Sequence, residues 1–140
     1  MKISARNVIP GKVQALTRGP LNAQVILVLD SGETVVSIIT NPSVDHLGLE
    51  EGKSAYAIVK ASEVIVGKEL DGSMLSARNV LAGEVAGLLD GVINSEVTIR
   101  LQGGATIVSS ITKDSVKALG LKHGDRVSAI VKASNVMIGV

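Results

Sequence analysis

The chain contains two related copies of one sequence unit. Residues 3–68 align with residues 75–140 without a gap, at a constant offset of 72 positions, and roughly half of the pairs are identical. Each copy has about 66 residues, a size at which a single hydrophobic core is marginal, so we expect the copies to pack against each other or against other chains. The repeat predicts a first domain at residues 1–68, a linker at 69–74 (ELDGSM) and a second domain at 75–140.

Residue composition and hydrophobic patterning favour an all-β fold. The chain has one Tyr and neither Phe nor Trp, so its core must come from aliphatic residues, and β-branched ones pack well on a pleated sheet. In the first copy, NVIPGKVQAL predicts a strand interrupted by a bend or bulge at Pro10 and Gly11. A hairpin is predicted around Asp30 to Glu33, and two further short strands separate at Lys60 to Ser62.

One short helix is predicted in each copy. In TNPSVDHLGL, Thr40 or Asn41 is the expected N-cap, proline follows in the first turn, and Gly48 is the expected C-terminal glycine. The second copy, TKDSVKALGL, keeps the threonine and the glycine. Five strands with a helix between the third and fourth is the order of an OB-type barrel. The sequence therefore predicts two tandem OB-type five-stranded barrels, each with one short helix.

The composition also bounds the function. A formal net charge of +1 provides no broad basic field for nucleic acid or an anionic membrane surface. The absence of cysteine excludes disulfides and thiolate metal sites, and no apolar run has the length of a signal peptide or a membrane span. We expect a soluble, cytoplasmic protein without a metal or organic cofactor. Neither His46 nor His123 aligns with a histidine in the other copy, which argues against a repeated metal site.

Comparison of the two copies identifies candidate binding residues. Among the charged positions, only Arg6 with Arg78 and Lys60 with Lys132 keep the same residue, while the other charges vanish or reverse. Asn7 and several hydroxyls also recur: Ser4, Thr40, Ser43 and Ser62 return as Ser76, Thr112, Ser115 and Ser134. This retained set is rich in hydrogen-bond donors and contains no acid, as expected for a site that binds a small, fully deprotonated oxyanion. The predicted helix starts would add oriented N–H groups.

Three motifs together resemble the molbindins, small proteins built from Mop domains that bind molybdate and tungstate. The motifs are SARN near the start of each copy, T..SV..LGL through the helix, and KAS.V before the final apolar run. The resemblance covers nearly the whole chain twice, as in a tandem di-Mop molbindin. It implies OB-type barrels, a homo-oligomer, most simply a homotrimer, and oxyanion sites between domains. It also implies storage and homeostasis of molybdate or tungstate, with no catalytic residues and no nucleic-acid or membrane partner.

The same resemblance assigns the site residues. In the first copy these are Ser4, Ala5, Arg6, Asn7, Lys60, Ala61 and Ser62, closed by Thr40, Ser43 and Val44 of a neighbouring domain. In the second copy they are Ser76, Ala77, Arg78, Asn79, Lys132, Ala133 and Ser134, closed by Thr112, Ser115 and Val116. The two copies differ at Glu63, which aligns with Asn135, and this carboxylate could weaken anion binding in the first copy.

Two other functions remain open at this point. An OB-fold nucleic-acid binder would need aromatic stacking platforms and a basic groove, which this composition does not supply. In a purely structural oligomerisation module, the retained Arg and Lys would make interface contacts instead of binding a ligand. Metal analysis of the purified protein would distinguish these functions.

Overall fold

Ten strands form two five-stranded sheets in the computed structural model, which describes residues 1–140. The first copy contributes β1 (Asn7–Arg18), β2 (Asn22–Leu29), β3 (Thr34–Thr40), α1 (Asn41–Leu47), β4 (Ser54–Val59) and β5 (Ile65–Gly67). The second contributes β6 (Asn79–Asp90), β7 (Asn94–Leu101), β8 (Thr106–Thr112), α2 (Lys113–Leu119), β9 (Arg126–Val131) and β10 (Met137–Gly139). The prediction of a mostly β fold with five strands and one short helix in each copy is confirmed.

The fifth strand of each copy lies in the sheet of the other copy. The first sheet has the order β10-β4-β1-β2-β3, and the second has the order β5-β9-β6-β7-β8. Both exchanged strands pair antiparallel with their neighbours, as Met137 does with Ile58 and Ile65 with Ile130. Each sheet is thus a curled half-barrel built from four strands of one copy and one of the other. A single core cluster of 24 buried residues joins the two copies.

The predicted interruption of β1 at Pro10 and Gly11 is wrong in position. β1 runs without a break, and its register against β2 shifts between Val13 and Ala15, which marks a bulge further along the strand. Pairing with β2 begins only at Gly11, so Pro10 lies at the end of that ladder and costs it no hydrogen-bond donor. Gly11 itself permits a close approach, because a Cβ there would lie 2.5 Å from the carbonyl oxygen of Val28.

Both helices begin and end at the predicted residues. Thr40 is the N-cap of α1, its hydroxyl accepts a hydrogen bond from the Ser43 N–H, and Gly48 follows with a φ of 59°. α2 has the same caps in Thr112 and Gly120. Neither helix is long or apolar enough to cross a membrane.

Buried polar side chains connect the two copies. The Asn7 carboxamide donates to the Val108 carbonyl at 2.8 Å and accepts from the Val108 N–H at 2.7 Å. Asn79 makes the same pair of bonds to Val36, both at 2.8 Å. The Ser37 hydroxyl donates to the Val136 carbonyl at 2.6 Å, just before the exchanged strand β10. These bonds satisfy main-chain groups at the junction that would otherwise be buried without partners.

A carboxylate provides one further contact between the copies, at their hairpin turns. Glu33 accepts hydrogen bonds from the Ser31 hydroxyl and, at 2.6 Å, from the main-chain N–H of Gly103. Burial opposes ionisation of Glu33, but these hydrogen bonds outweigh it, and the pKa of Glu33 lies below its ordinary value. A pKa lowered by folding stabilises the native state above the unfolded-state pKa. This contribution is lost as the pH falls through the lowered value.

Candidate oxyanion-binding site

The sheet register brings the retained cations of the first copy to one corner. Asn7, the first residue of β1, pairs with Val59, the last residue of β4. Arg6 and Lys60 are the next residues outward on the two strands, so they lie side by side where the ladder ends. The chain then turns through a short 3-10 helix at Ala61–Glu63, which presents Ser62 at the same corner.

These residues line a cavity of about 300 Å³, here called the first-repeat cavity. Its lining consists of Ile3, Ser4, Ala5, Arg6, Lys60, Ala61, Ser62 and Met137. The polar side chains are two cations and two hydroxyls, and none of the lining residues is a carboxylate. Met137 comes from the exchanged strand β10, so the second copy closes one side. Six of the predicted residues of the first copy are therefore together in one cavity.

The second copy has the same backbone framework. Asn79 pairs with Val131, which places Arg78 beside Lys132, and a 3-10 helix follows at Ala133–Asn135. The backbone of Lys132 (φ −64°, ψ 138°) matches that of Lys60 (φ −67°, ψ 138°). The retained set at this corner is Ser76, Ala77, Arg78, Lys132, Ala133 and Ser134.

The remaining predicted residues lie outside the first-repeat cavity. The carboxamides of Asn7 and Asn79 are used between the copies, as described above. At the start of α1, the hydroxyls of Thr40 and Ser43 lie 2.9 Å apart and hydrogen-bond to each other, and the Val44 side chain is buried in the core. At the start of α2, the hydroxyls of Thr112 and Ser115 lie 2.8 Å apart and Val116 packs against the core. None of these helix residues lines the first-repeat cavity.

Each retained arginine contacts the second strand of the opposite copy, which the sequence did not reveal. Arg6 Nη1 donates to Glu96 Oε1 of β7 at 2.5 Å, and Arg78 Nη1 donates to Gln24 Oε1 of β2 at 2.9 Å. A guanidinium has five N–H donors, so either arginine can bind an additional ligand. No local signal marks Gln24 or Glu96, because the contacts depend on how the two copies pack.

A larger cavity of about 830 Å³ lies beside the segment that joins the copies. It contains Arg100 and Arg126 but also the carboxylates of Glu69, Asp71 and Glu84, and Arg100 is paired with Glu84 at 3.4 Å. Because these carboxylates would repel an anion, the smaller cavity is the better oxyanion site. No cluster of three His, Cys, Asp or Glu residues could hold a metal ion, and both histidines are exposed.

The chain matches a known domain family and is similar to proteins named for molybdenum. The TOBE domain model matches residues 3–66 and 75–138. The chain is 36% identical over 140 residues to the molybdenum transport protein ModE of Herbaspirillum seropedicae, covering 100% of this chain and 52% of that protein. It is also 36% identical over 140 residues to the molybdenum-pterin-binding protein MopA of Rhodobacter capsulatus, covering 100% of this chain and 53% of that protein. The chain thus spans about half the length of these curated relatives.

A solved structure matches the chain from end to end. It is the cytoplasmic molybdate-binding protein ModG, in a form grown from PEG with molybdate bound. The two structures superpose with a TM-score of 0.94 at 47% sequence identity, over 100% of this chain and 99% of that one.

Proposed function

The chain belongs to the TOBE-domain family, and we infer from this membership and from the first-repeat cavity that it binds molybdate and tungstate for intracellular storage and homeostasis. The observation that carries the proposal is the cavity lining, in which two cations and two hydroxyls converge and no lining residue is a carboxylate. A tetrahedral dianion accepts hydrogen bonds and donates none, so this set matches its chemistry. The names of ModG, MopA and ModE support molybdenum as the element bound.

We further propose that the sites are completed by assembly into a homotrimer. Thr40, Ser43 and Val44, with their counterparts in the second copy, would close the site of a neighbouring chain. In support, the two hydroxyls lie at a helix start away from their own cavity. The exposed apolar side chains Leu21, Val92 and Ile93, which are 78%, 95% and 77% exposed, provide surface that association would bury.

In this proposal the protein is a cytoplasmic binding protein and not an enzyme. Its ligand is the oxyanion itself, no other cofactor takes part, and neither nucleic acid nor a membrane is a partner. The alternative of a purely structural module rests on the contacts of Arg6 with Glu96 and of Arg78 with Gln24. Those contacts use one of five donors on each guanidinium, and they give no reason for the retention of Lys60 and Ser62.

Competition between anions tests the proposal. We expect molybdate to remain bound during equilibrium dialysis against about a tenfold excess of sulfate or phosphate. Sulfate has the right charge but is smaller, so fewer donors reach it at good hydrogen-bond length. Phosphate near neutral pH carries a proton that finds no carboxylate acceptor in the cavity. Elemental analysis of the dialysed protein gives the molybdenum content, and its complete displacement by equimolar sulfate would contradict the proposal.

A further inference from the structure

The two retained arginines face partners of different charge. Arg6 donates to the carboxylate of Glu96, whereas Arg78 donates to the neutral carboxamide of Gln24. Gln24 and Glu96 occupy equivalent positions in the two copies, on β2 and β7. The two copies therefore share one framework, but only the first has a negative charge in contact with its arginine.

The Glu96 carboxylate opposes an anion at Arg6 through its charge. It accepts one guanidinium N–H at 2.5 Å, and from there it repels a dianion held by the remaining N–H groups. The side chains of Arg6 and Glu96 are 52% and 36% exposed, so water and salt screen much of this effect. Gln24 accepts a hydrogen bond from Arg78 in the same way, but its carboxamide is neutral and does not repel an anion.

A second difference between the copies also replaces a carboxylate with a neutral side chain. Glu63 directly follows Ser62, while its counterpart Asn135 follows Ser134. Asn135 Nδ2 donates to Glu63 Oε2 at 3.0 Å, so the neutral residue of the second copy partly satisfies the carboxylate of the first. Glu63 therefore lies close to both copies, and the contact of Glu96 with Arg6 is the difference in charge that separates the two sites.

We infer that each chain has two non-equivalent sites for a tetrahedral dianion, and that Glu96 is the residue that weakens the first. This inference rests on the proposed function and adds an order of filling to it. The site at Arg78 and Lys132 fills first, and the site at Arg6 and Lys60 fills at higher concentration and releases its ligand first. Two affinities in one chain extend the range of free molybdate concentration over which the protein buffers.

Substitutions at Glu96 test this inference in the full chain. In an Arg78→Ala/Lys132→Ala background, calorimetric titration with sodium molybdate reports mainly on the first site. There, Glu96→Gln is expected to tighten binding about three- to tenfold by removing the repulsion, while the carboxamide can still accept the Arg6 N–H as Gln24 does for Arg78. The matched control is Glu84→Gln, which makes the same change in charge at an exposed ion pair with Arg100. We expect the control to leave the affinity unchanged.

The reverse substitution completes the experiment. Gln24→Glu in the otherwise wild-type chain should weaken the stronger class of sites until one class describes the titration. Unchanged or weaker first-site binding in Glu96→Gln, or an equal gain in Glu84→Gln, would overturn the inference and leave the proposed function intact. Wild-type protein that takes up no molybdate would overturn the proposed function itself. Thermal unfolding of each variant verifies that it is folded.

Discussion

Replacing Asn7 with alanine is expected to lower the free energy of unfolding by about 2–4 kcal/mol. The Asn7 side chain is 3% exposed and is the hydrogen-bond partner of both the N–H and the carbonyl of Val108. Alanine would leave both main-chain groups without a partner at the junction between the two copies. Urea denaturation followed by circular dichroism measures the loss.

Asn22 is the matched control for this experiment, because it also recurs in the second copy, as Asn94. It is exposed at the start of β2, so Asn22→Ala should change the free energy of unfolding by less than about 0.5 kcal/mol. If Asn7→Ala were as mild as Asn22→Ala, the bonds to Val108 would not stabilise the junction. The account of how the two copies are joined would then be wrong.

Removing either cation of the second copy is expected to weaken molybdate binding there by about ten- to a hundredfold. In Arg78→Ala or Lys132→Ala, the dianion loses one charge-assisted hydrogen bond. Both residues are exposed, so the thermal unfolding temperature should change little. The double variant should depart from additivity, because both side chains act on one bound ion. Calorimetric titration measures the affinities.

Arg100→Ala is the control for these variants. Arg100 lies in the larger cavity, is replaced by Val28 at the equivalent position of the first copy, and is paired with Glu84, so its loss should leave the affinity almost unchanged. An equal loss of affinity in Arg100→Ala would indicate that the anion binds in the larger cavity and not at the retained cations. If the loss of both cations left molybdate uptake intact while the oligomer dissociated, the retained residues would be structural.

Local sequence signals predicted most of the elements but could not predict the exchange of strands. The helix ends follow from a threonine cap and a glycine that adopts positive φ, and both are readable in one copy alone. The exchanged strands have the similar sequences IVG and MIG, and each pairs with the same kind of partner in either sheet. With equivalent local pairing, the length and path of the connecting segments determine the partner, and these are not encoded in a hydrophobic pattern.

The sequence predicted those residues of the candidate site whose polar side chains line the cavity and recur in both copies. Arg6, Lys60 and Ser62 recur in the second copy, and the structure gathers the three in one cavity. Asn7 recurs equally well, but its carboxamide is buried against Val108, so its retention has a structural reason. Comparing two copies of a sequence cannot separate these cases, because binding and packing between copies both preserve a residue. The contact of Arg6 with Glu96 could not be predicted from the sequence either, because it joins the two copies and the equivalent residue in the first copy is Gln24.

The most direct test is to locate a heavy anion in the crystal. Tungsten scatters anomalously, so crystals grown with tungstate would show each bound ion as a peak in the anomalous difference map. The proposed function predicts peaks within hydrogen-bond distance of Arg6 and Lys60, and of Arg78 and Lys132. The inferred order of filling predicts the higher occupancy at the second pair under limiting tungstate. Peaks confined to the larger cavity beside Arg100 and Arg126, or no peak at the retained pairs, would contradict the proposed function.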